Sequence, residues 1–364
     1  YNLFQELGFS SGLISTVTIR VGKRSLPATH TTPDPLQLQQ TLRTMADEGI
    51  EYVFMEASSH GIHQERLAGM LIQGAVFTNL SHDHLDYHGT FENYLQPKKK
   101  LFDELPRNSF ALVNADDKNG PTMLQNCLAR HYSYALKNDA DFKGRVLEYQ
   151  RQGMLLRLDA REVWTRLLGR FNAYNVTALY ATACLLDVAD LEIAKALSQL
   201  PPVEGRFQHL SGKSGLTVFV DYAHTPDALE NVLQTLQEIR STAGGKVWTV
   251  VGCGGNRDKA KRPLMAQMAL QYSDQVVFTS DNPRYEEPES IIADMEAGVS
   301  GRQNRYLSIT DRRQAIKTAI RMAQPADLIL IAGKGHEKYQ EVQGEKHPFD
   351  DLALVGEHLQ NLPA

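Results

Sequence analysis

The sequence predicts an α/β protein of two domains, each built around a mostly parallel β-sheet. Apolar runs of strand length alternate along the chain with longer segments in which apolar residues recur at helical spacing. Polar clusters directly follow several of these runs, as they do where parallel strands end and present functional groups. The double proline at 201–202 is the clearest boundary signal in the 364 residues. We therefore predict domains at 1–201 and 202–364.

The first domain is predicted to begin with the last turns of an amphipathic helix over residues 1–7. Strands are predicted at 13–19, 50–55, 75–79, 110–114 and 131–134, and helices at 36–47, 64–71, 90–105 and near 118–129. Thr90 is the expected N-cap of the third helix. Residues 20–35 carry three prolines and are predicted to form a loop. Antiparallel strands are expected within 146–168, and helices at 173–186 and 191–200 close the domain.

The second domain repeats the alternation of strands and helices. Strands are predicted at 216–220, 246–251, 275–279, 305–308 and 328–332, and helices at 225–240, 263–272, 288–297 and 311–323. Thr225 followed by Pro226 is the expected start of the first of these helices, since proline suits the first helical position.

Composition excludes several classes of protein. The net charge is −5 and the pI is about 6.2, without the basic blocks that indicate nucleic acid or anionic membrane as the main partner. Three distant cysteines argue against a disulfide framework and fit a reducing cytoplasm. No apolar run approaches the roughly 20 residues of a membrane span. We expect a cytoplasmic monomer without membrane insertion.

The polar clusters between residues 56 and 98 could hold metal ions, phosphates or both. Glu56 follows a strand and is joined by two serines, which suits either a polar loop or a Mg²⁺ site built from oxygen ligands. A second cluster contains His82, His84, Asp86 and His88. Its spacing is similar to that of dinuclear metallohydrolases, but a tyrosine precedes the last histidine and no distant histidine ligands are evident.

Four polar loops follow strands of the second domain. They lie at 221–227, 252–263, 281–284 and 333–337. The glycine-rich loop at 252–263 could cradle an anion, although no Gly-Lys-[Ser/Thr] closes it as in a Walker A sequence. In Asp281-Asn-Pro-Arg284 the acid could accept from an ammonium while the guanidinium holds a carboxylate, as an amino-acid ligand requires. An Asn-Pro turn with a surface arginine is the simpler alternative.

These motifs, taken in order, resemble those of the Mur ligase family. They are Glu-Ala-Ser-Ser-His-Gly at 56–61, Asn-Leu-Ser-His-Asp-His-Leu-Asp-Tyr-His at 79–88, Tyr94 with Lys98, Asn172 with Asn175, Gly205-Arg206, Asp-Tyr-Ala-His-Thr-Pro-Asp at 221–227, Gly-Cys-Gly-Gly-Asn-Arg-Asp at 252–258, Asp-Asn-Pro-Arg at 281–284 and Gly-Lys-Gly-His-Glu at 333–337. The resemblance is strongest to the members that add the third residue of the peptidoglycan stem peptide. It implies a central ATPase-like domain followed by a Rossmann-like domain.

The resemblance implies an ATP-dependent amide-bond ligase that uses Mg²⁺. ATP would phosphorylate the D-glutamyl carboxylate of UDP-MurNAc-L-Ala-D-Glu, and the incoming amine would attack the acyl phosphate. The Asp-Asn-Pro-Arg form is similar to that of members that select meso-2,6-diaminopimelate, with Arg284 holding its distal carboxylate. A lysine-adding ligase of the same family is the alternative.

Individual roles follow from the resemblance, position by position. Glu56, His84 and Lys98 match Mg²⁺ ligands, with Lys98 matching a lysine that family members carry as a carbamate, N6-carboxylysine. Thr31, Thr32, Ser58, Gln64 and Arg66 match residues that hold UDP-MurNAc-dipeptide, and Asn175, Arg206 and Asp221 match ATP contacts. Arg257, Asp281, Asn282, Pro283, Arg284, Gly333 and Glu337 match the site for the incoming amino acid.

The chain departs from the family pattern at its beginning. The P-loop, Gly-Thr-x-Gly-Lys-Thr, and the UDP-binding domain would precede Tyr1 and are absent from the sequence. We therefore expect an N-terminally truncated fragment that cannot turn over alone. Two other hypotheses remain open at this point. One is a dinuclear metallohydrolase using His82, His84, Asp86 and His88, and the other is a non-catalytic chain that binds amino acid or peptide in its second domain.

Overall fold

The structure, a computed structural model, describes residues 1–81, 85–150, 152–212, 215–299, 301 and 303–361. The chain forms two compact units. The first consists of Tyr1–Glu148, Gly153–Arg166 and Phe171–Leu200, and the second of Tyr149–Gln152, Leu167–Arg170 and Pro201–Ala364. Among the described residues, no helix is both long enough and apolar enough to cross a membrane.

The first unit contains two sheets flanked by helices. Its strands are β1 (Ser11–Ile14), β2 (Thr18–Val21), β3 (Arg24–Pro27), β4 (Tyr52–Met55), β5 (Gly74–Phe77), β6 (Phe110–Asn114), β7 (Arg130–Ala135), β8 (Phe142–Gln150), β9 (Gly153–Leu158) and β10 (Arg161–Thr165). Its helices are α1 (Asn2–Glu6), α2 (Pro35–Asp47), α3 (Ser59–His63), α4 (Leu85–His88), α5 (Phe91–Asp103), α6 (Gly120–Leu124), α7 (Arg170–Leu185) and α8 (Asp190–Gln199). The sheet orders are β3-β2-β1-β4 and β10-β9-β8-β7-β6-β5.

Strand β6 shows why this unit folds as an α/β layer structure. It pairs in parallel with β5 and β7, and all five of its residues are buried. Ala111 and Val113 pack into one apolar cluster, whereas Phe110 and Leu112 pack into another. Successive side chains of a strand point to opposite faces, so an uninterrupted apolar run requires cover on both sides. The predicted mostly parallel sheet is confirmed here, as are the antiparallel strands β9 and β10 at its edge.

Several predictions for the first unit were wrong. The single strand predicted at 13–19 is interrupted at 15–17, and its two ends belong to β1 and β2, which pair antiparallel. Residues 20–35 are not all loop, because β2 and β3 form an antiparallel hairpin whose turn contains Gly22 at φ +55°. The helix predicted at 64–71 lies earlier, at α3, where the Ser58 hydroxyl accepts from the backbone N–H of Gly61. A Cβ at Gly61 would lie 2.6 Å from Thr32 Cβ, so glycine allows the Thr32 segment to pack directly on this helix.

Helix α5 carries Lys98 and begins as predicted. The Thr90 side chain accepts from the backbone N–H of Asn93, which satisfies one of the donors left free at a helix start. Pro97 lies in the helix interior, which is unusual for proline, and is buried. Proline has no N–H, so the hydrogen bond that position 97 would donate to the Asn93 carbonyl is missing.

Asp116 ties three segments of the first unit together, and we expect its loss to be costly. Its carboxylate accepts from the backbone N–H groups of Leu136, Lys137 and Asn138 and from the Tyr174 hydroxyl, at 2.8–2.9 Å. Burial alone would raise the pKa of Asp116, but these hydrogen bonds lower it overall. Asp116→Ala is expected to lower the free energy of unfolding by about 2–3 kcal/mol, because it leaves these donors without their acceptor.

Urea denaturation at neutral pH measures this effect. A lowered pKa means that the Asp116 contribution is present above the ordinary carboxyl pKa of 3.8 and fades as the pH falls below it. The exposed Asp139, at the other end of the same turn, provides the control Asp139→Ala, which should change stability little. Equal losses for both variants would contradict the role given to Asp116.

The second unit is built on a six-stranded sheet of order β11-β12-β16-β13-β14-β15 with a separate hairpin, β17-β18. Its strands are β11 (Gln208–Ser211), β12 (Thr217–Asp221), β13 (Val247–Val251), β14 (Gln275–Phe278), β15 (Tyr306–Ser308), β16 (Leu328–Ala332), β17 (Tyr339–Val342) and β18 (Glu345–Pro348). Its helices are α9 (Pro226–Ala243), α10 (Lys261–Tyr272), α11 (Pro288–Ala297), α12 (Arg312–Met322) and α13 (Asp351–Gln360), with a 3₁₀ turn at Gln303–Arg305. Strand β11, the hairpin and α13 were not predicted.

Strands β12 to β16 of this sheet run parallel, so their carboxyl ends lie along one edge. The loops that follow β12, β13, β14 and β16 are the four polar loops noted in the sequence. Residues of β12, β13 and β16 form one apolar core with α12 and α13, which holds the strand ends in fixed positions. Open α/β sheets bind ligands outside the carboxyl ends of their parallel strands, which is this edge.

Candidate functional site

Glu56 stands at the end of β4, where an exposed carboxylate is held from one side by Thr16. The backbone N–H of Thr16 donates to Glu56 Oε2 at 3.0 Å, and the Thr16 hydroxyl donates to the same oxygen at 2.5 Å. The Thr31 hydroxyl lies 3.0 Å from that of Thr16. Carboxylate and hydroxyl oxygens are ligands that Mg²⁺ accepts, so the residues here fit such an ion. The described residues contain no group of three or more His, Cys, Asp or Glu arranged to hold a metal.

Thr32 joins the residues that the resemblance assigned to the nucleotide substrate. Its hydroxyl donates to the Glu56 carbonyl at 2.9 Å and accepts from the Ser58 N–H at 3.0 Å. Arg66 donates to the Thr32 carbonyl at 2.5 Å and to Gln64 Oε1 at 2.6 Å. Together with Thr31, which contacts Thr16, all five predicted residues lie in one connected network.

An aromatic cluster links α3 to α5. The ring centroids of Tyr87 and His60 are 4.0 Å apart, and the Tyr87 hydroxyl accepts from Gln64 at 3.2 Å. His88 is buried, with Nε2 3.0 Å from the Ser59 hydroxyl and its ring 5.4 Å from that of Tyr94. Lys98 Nζ lies 5.5 Å from the Tyr94 centroid. The stretches at 56–61 and 87–98 therefore meet in the folded chain.

The rest of the predicted metal cluster cannot be placed. His82 and His84 lie outside the described residues, and so does the side chain of Asp86. His88, the remaining member of the metallohydrolase alternative, is occupied by packing against Ser59 and Tyr94.

Asn175 lies exposed near the start of α7. Its side-chain amide donates to Asn172 Oδ1 at 3.2 Å, so the two asparagines share one face of the helix as their spacing predicted. This face belongs to the first unit.

Asp221 and Arg206 lie together in the second unit. Asp221 ends β12, is buried, and accepts from the backbone N–H groups of Phe207 and Ala223 at 2.7 Å each. Burial raises the pKa of Asp221 to about 6, although both hydrogen bonds and Arg206 oppose that shift. The Arg206 guanidinium lies 5.2 Å from the ring centroid of Tyr222, the residue that follows β12.

The glycine-rich loop after β13 packs against the loop after β14. The backbone N–H of Gly255 donates to the Asn282 carbonyl at 2.9 Å. A Cβ at Gly254 would lie 3.0 Å from an Arg284 nitrogen and 3.7 Å from Arg257 Cγ, so the two arginines flank this glycine. Arg257 is exposed, whereas Cys253 is buried, and burial raises the pKa of the Cys253 thiol to about 12.

Asn282 is the centre of a polar network that the sequence did not predict. Its amide donates to Glu337 Oε2 at 2.8 Å, while its Oδ1 accepts from Lys334 Nζ at 2.8 Å and from the backbone N–H of Glu341 at 2.9 Å. Lys334 is fully buried and also contacts Glu337 at 3.2 Å. A buried ammonium needs such partners, so the network fixes the loops after β14 and β16 against each other.

Asp281 lies between Gly333 and the network around Asn282. Asp281 is buried, and a Cβ at Gly333 would lie 2.5 Å from its Oδ2. Gly333 has φ +113°, a conformation that other residues rarely adopt, so both backbone and space demand glycine here. The predicted residues Asp281, Asn282, Gly333 and Glu337 are thus adjacent, with Pro283 continuing the same loop.

Arg284 is held beside these groups by the β17 strand. Its backbone N–H donates to the Glu341 carbonyl at 3.0 Å, and its carbonyl accepts from Gln343 at 2.7 Å. The guanidinium donates to the Gly255 carbonyl at 2.8 Å and pairs with the Glu341 carboxylate at 3.2 Å. Arg284 and Glu341 remain 21% and 22% exposed. The planar guanidinium of Arg284 is therefore fixed in direction and accessible to a ligand.

Sequence reasoning missed Thr16, Lys334 and Glu341. Lys334 had a signal, since it lies in a Gly-Lys-Gly loop directly after a buried strand. No signal in the sequence indicated Thr16 or Glu341, because their partners Glu56 and Arg284 are distant in the sequence.

Glu286 stabilises the glycine-rich loop at 252–263, and we expect this stabilisation to be lost in acid. It pairs with the fully buried Arg262 at 2.9 Å and accepts from the Asn256 N–H at 2.6 Å. The bond from Arg262 is the largest cause that lowers the pKa of Glu286, to about 2. Its stabilising contribution is therefore complete above the ordinary pKa of 4.5 and is lost as the pH falls toward about 2.

Denaturation of the Glu286→Gln variant at several pH values tests the stabilising contribution of the Glu286 carboxylate. The variant is expected to be clearly less stable than the parent at pH 7, and the difference should shrink as the pH falls below 4.5. The exposed neighbour Glu287 gives the control Glu287→Gln. A stability difference that stays constant down to acid pH would contradict the assignment.

Two family models match the chain. The Mur ligase middle domain matches residues 1–184, and the Mur ligase, glutamate ligase domain, matches residues 205–335. The chain is 53% identical over 362 residues to UDP-N-acetylmuramoyl-L-alanyl-D-glutamate–2,6-diaminopimelate ligase of Phocaeicola vulgatus, covering 99% of this chain and 75% of that protein. The ligase of the same name from Cytophaga hutchinsonii is 50% identical, covering 100% and 74%.

Comparison of structures agrees with these matches. A solved structure titled as UDP-N-acetylmuramoyl-L-alanyl-D-glutamate–2,6-diaminopimelate ligase has a TM-score of 0.68 at 37% identity, covering 99% of this chain and 75% of that one.

Fold and site together place the chain among the acid–amino-acid ligases, an enzyme class. Within that class, it belongs to the Mur ligase family. The expected fold class and family are confirmed. The matches extend over 99% of this chain and do not support the expectation of an inactive fragment. They do not favour the metallohydrolase alternative either.

Proposed function

We propose that the chain joins meso-2,6-diaminopimelate to the D-glutamyl carboxylate of UDP-MurNAc-L-Ala-D-Glu, converting ATP to ADP and phosphate. One observation supports the choice of acceptor: the guanidinium of Arg284 is fixed by the Gly255 carbonyl and the Glu341 carboxylate, on the same loop as Asp281 and as Asn282, which donates to Glu337. Diaminopimelate carries an ammonium and a carboxylate at each end, which these groups match. The names of relatives that are 50% and 53% identical support the same substrates.

The reaction replaces a poor leaving group by a good one. A D-glutamyl carboxylate oxygen attacks the γ-phosphorus of ATP, the bond to the β-phosphate oxygen breaks, and ADP leaves. The amine of the acceptor, after losing a proton, attacks the acyl carbon to form a tetrahedral intermediate. Collapse of the intermediate breaks the carbon–oxygen bond and releases phosphate. The protein's contribution is mainly to hold three reactants in line and to offset negative charge.

The network around Thr32 is assigned to the nucleotide-sugar dipeptide. Thr31, Thr32 and Ser58 offer hydroxyl groups, and Arg66, oriented by Gln64, offers a cation for an acidic substrate. Asn175, Arg206 and Asp221 are assigned to ATP. Arg257 and Pro283 complete the acceptor site.

Glu56 is assigned to Mg²⁺, with His84 and Lys98 as the further proposed ligands. Mg²⁺ would neutralise phosphate charge in the transferring group. Lys98 can serve only as a carbamate, which forms when its neutral amine adds CO₂ and releases a proton. The chain's own role is to orient the Glu56 carboxylate, and Thr16 does so through two hydrogen bonds.

The test of the proposed function is an ADP-release assay on the full protein that its gene encodes. ADP should appear only when ATP, UDP-MurNAc-L-Ala-D-Glu and diaminopimelate are all present, and chelation of Mg²⁺ should stop it. Release that is independent of either acceptor or nucleotide substrate would overturn the proposal. L-Lysine in place of diaminopimelate is the matched acceptor control, because it lacks the distal carboxylate that Arg284 is assigned to hold.

A further inference from the structure

Arg312 and Asp351 form a fully buried ion pair beneath the acceptor loops. Each is the first residue of its helix, α12 and α13, and neither side chain is exposed. Arg312 Nε donates to Asp351 Oδ1 at 2.9 Å, and Nη2 donates to Oδ2 at 2.7 Å. This two-point geometry fixes the plane of the guanidinium.

The same guanidinium reaches the ends of two strands. Arg312 Nη2 donates to the Ala332 carbonyl at 2.9 Å, and Nη1 lies 3.4 Å from the Ser280 carbonyl. Ala332 immediately precedes Gly333, and Ser280 immediately precedes Asp281. β14 and β16 do not pair with each other, because β13 lies between them and pairs with both, and Ser280 lies beyond the end of β14. Arg312 contacts both carbonyls.

The surrounding charges connect the pair to the acceptor site. Burial alone would lower the pKa of Arg312, but Asp351, Asp281 and Glu337 together raise it. Asp281 and Glu337 therefore lie within electrostatic reach of the guanidinium. In this cluster two cations, Arg312 and Lys334, face the three carboxylates of Asp351, Asp281 and Glu337.

We propose that Arg312, held by Asp351, is a positioning residue for acceptor recognition: it fixes the ends of β14 and β16 so that the groups after them meet one amino acid. The inference rests on the proposed function, because that function supplies the acceptor. Arg312 itself is buried beneath the site and touches no substrate. It acts through the backbone on Asp281 and Gly333, and through them on Asn282 and Glu337.

A purely structural role for the Arg312–Asp351 ion pair leads to a different expected result. Replacing a buried ion pair by apolar residues of similar volume often leaves stability unchanged or improved, whereas removing one partner leaves an unpaired buried charge. The double variant Arg312→Met/Asp351→Leu should therefore fold, but it lacks every bond to the Ser280 and Ala332 carbonyls. Stability and acceptor affinity are thereby separated.

Calorimetric titration with meso-diaminopimelate, together with thermal melting, decides between the two roles. We expect the double variant to melt near the parent temperature but to bind diaminopimelate about 10- to 100-fold more weakly, since small misplacements of binding groups have effects of this size. Arg321→Met, at an exposed position near the end of α12, should bind like the parent. Parent-like affinity in the double variant would overturn the proposal.

Asp351→Asn covers the case in which the double variant does not fold. It retains the Arg312 bonds to both carbonyls but weakens the hold on the guanidinium, and binding is measured well below its own melting temperature. Weaker binding there supports positioning, and unchanged binding refutes it. If the parent itself does not bind diaminopimelate, the proposed function fails, and that outcome is distinct from failure of the positioning role.

Discussion

Arg284→Ala is expected to weaken the binding of meso-diaminopimelate by at least about 100-fold, equivalent to roughly 2.7 kcal/mol. Arg284 is already oriented by the Gly255 carbonyl and the Glu341 carboxylate, at 2.8 and 3.2 Å. Little side-chain entropy is therefore lost when a carboxylate binds, and most of the interaction appears as affinity. Calorimetry on the parent and the variant measures the loss.

The controls for Arg284 separate charge from geometry. Arg284→Lys keeps the charge but loses the planar fork, so intermediate affinity is expected. L-Lysine lacks the distal carboxylate, so its weaker binding should be nearly the same in parent and Arg284→Ala. Arg321→Ala, an exposed arginine of α12, should leave both ligands unaffected. An Arg284→Ala variant that binds diaminopimelate like the parent would remove the basis of the assigned acceptor specificity.

Glu56→Gln is expected to slow ligation by about a thousandfold, because a bound divalent ion contributes several kcal/mol to phosphoryl chemistry and a neutral amide is a poor ligand for it. The amide oxygen can still accept from the Thr16 N–H and hydroxyl, so the local fold should persist. We expect KM for diaminopimelate to change little, since the residues assigned to the acceptor do not include Glu56.

A titration with Mn²⁺, followed by electron paramagnetic resonance, tests the same assignment without turnover. Glu56→Gln should weaken Mn²⁺ binding, and Thr16→Val should produce a smaller loss, because it removes only one of the bonds that orient the carboxylate. Glu51, exposed just before the same strand, provides the control Glu51→Gln. Unchanged metal binding and turnover in Glu56→Gln would refute the metal assignment.

Local signals in the sequence were sufficient for many elements. Thr90 and Thr225 were predicted as N-caps, and each side chain accepts from the backbone N–H three residues later. The buried strand predicted at 110–114 is β6. Such features depend on neighbouring residues and on burial of a continuous apolar run, which a sequence shows directly.

Other elements depend on distant contacts and were therefore missed. A helix was predicted at 64–71, whereas the structure has one at Ser59–His63, where Gly61 admits Thr32, which lies 29 residues earlier. The hairpin β17-β18 is mostly polar and half-exposed, and it is held by pairing with Arg284 rather than by an apolar run. Propensity alone cannot reveal either arrangement.

For the candidate site, the sequence indicated which residues take part, whereas their hydrogen-bond partners depend on the fold. Asp281, Asn282 and Glu337 were predicted from the resemblance. The structure brings Asn282 and Glu337 together around Lys334, and Asp281 accepts from the backbone N–H of Asn282. The Gly-Lys-Gly loop indicated Lys334, but its partner Asn282 could not be predicted, because it is 52 residues away. The roles assigned to Glu56, Lys98 and the nucleotide-binding residues stay predictions, and His84 lies outside the described residues.

The close approach of Gly333 to Asp281 has a consequence for engineering the acceptor specificity. Any side chain at position 333 would push against Asp281 Oδ2, so a mutant library that varies this position would mostly sample damaged sites. Glu341 offers a better starting point: its side chain is partly exposed and pairs with the guanidinium of Arg284, while its contact with Asn282 is made by the backbone N–H, which a substitution keeps. Directed evolution toward acceptors without a distal carboxylate should therefore randomise 284 and 341 jointly and keep 333 as glycine.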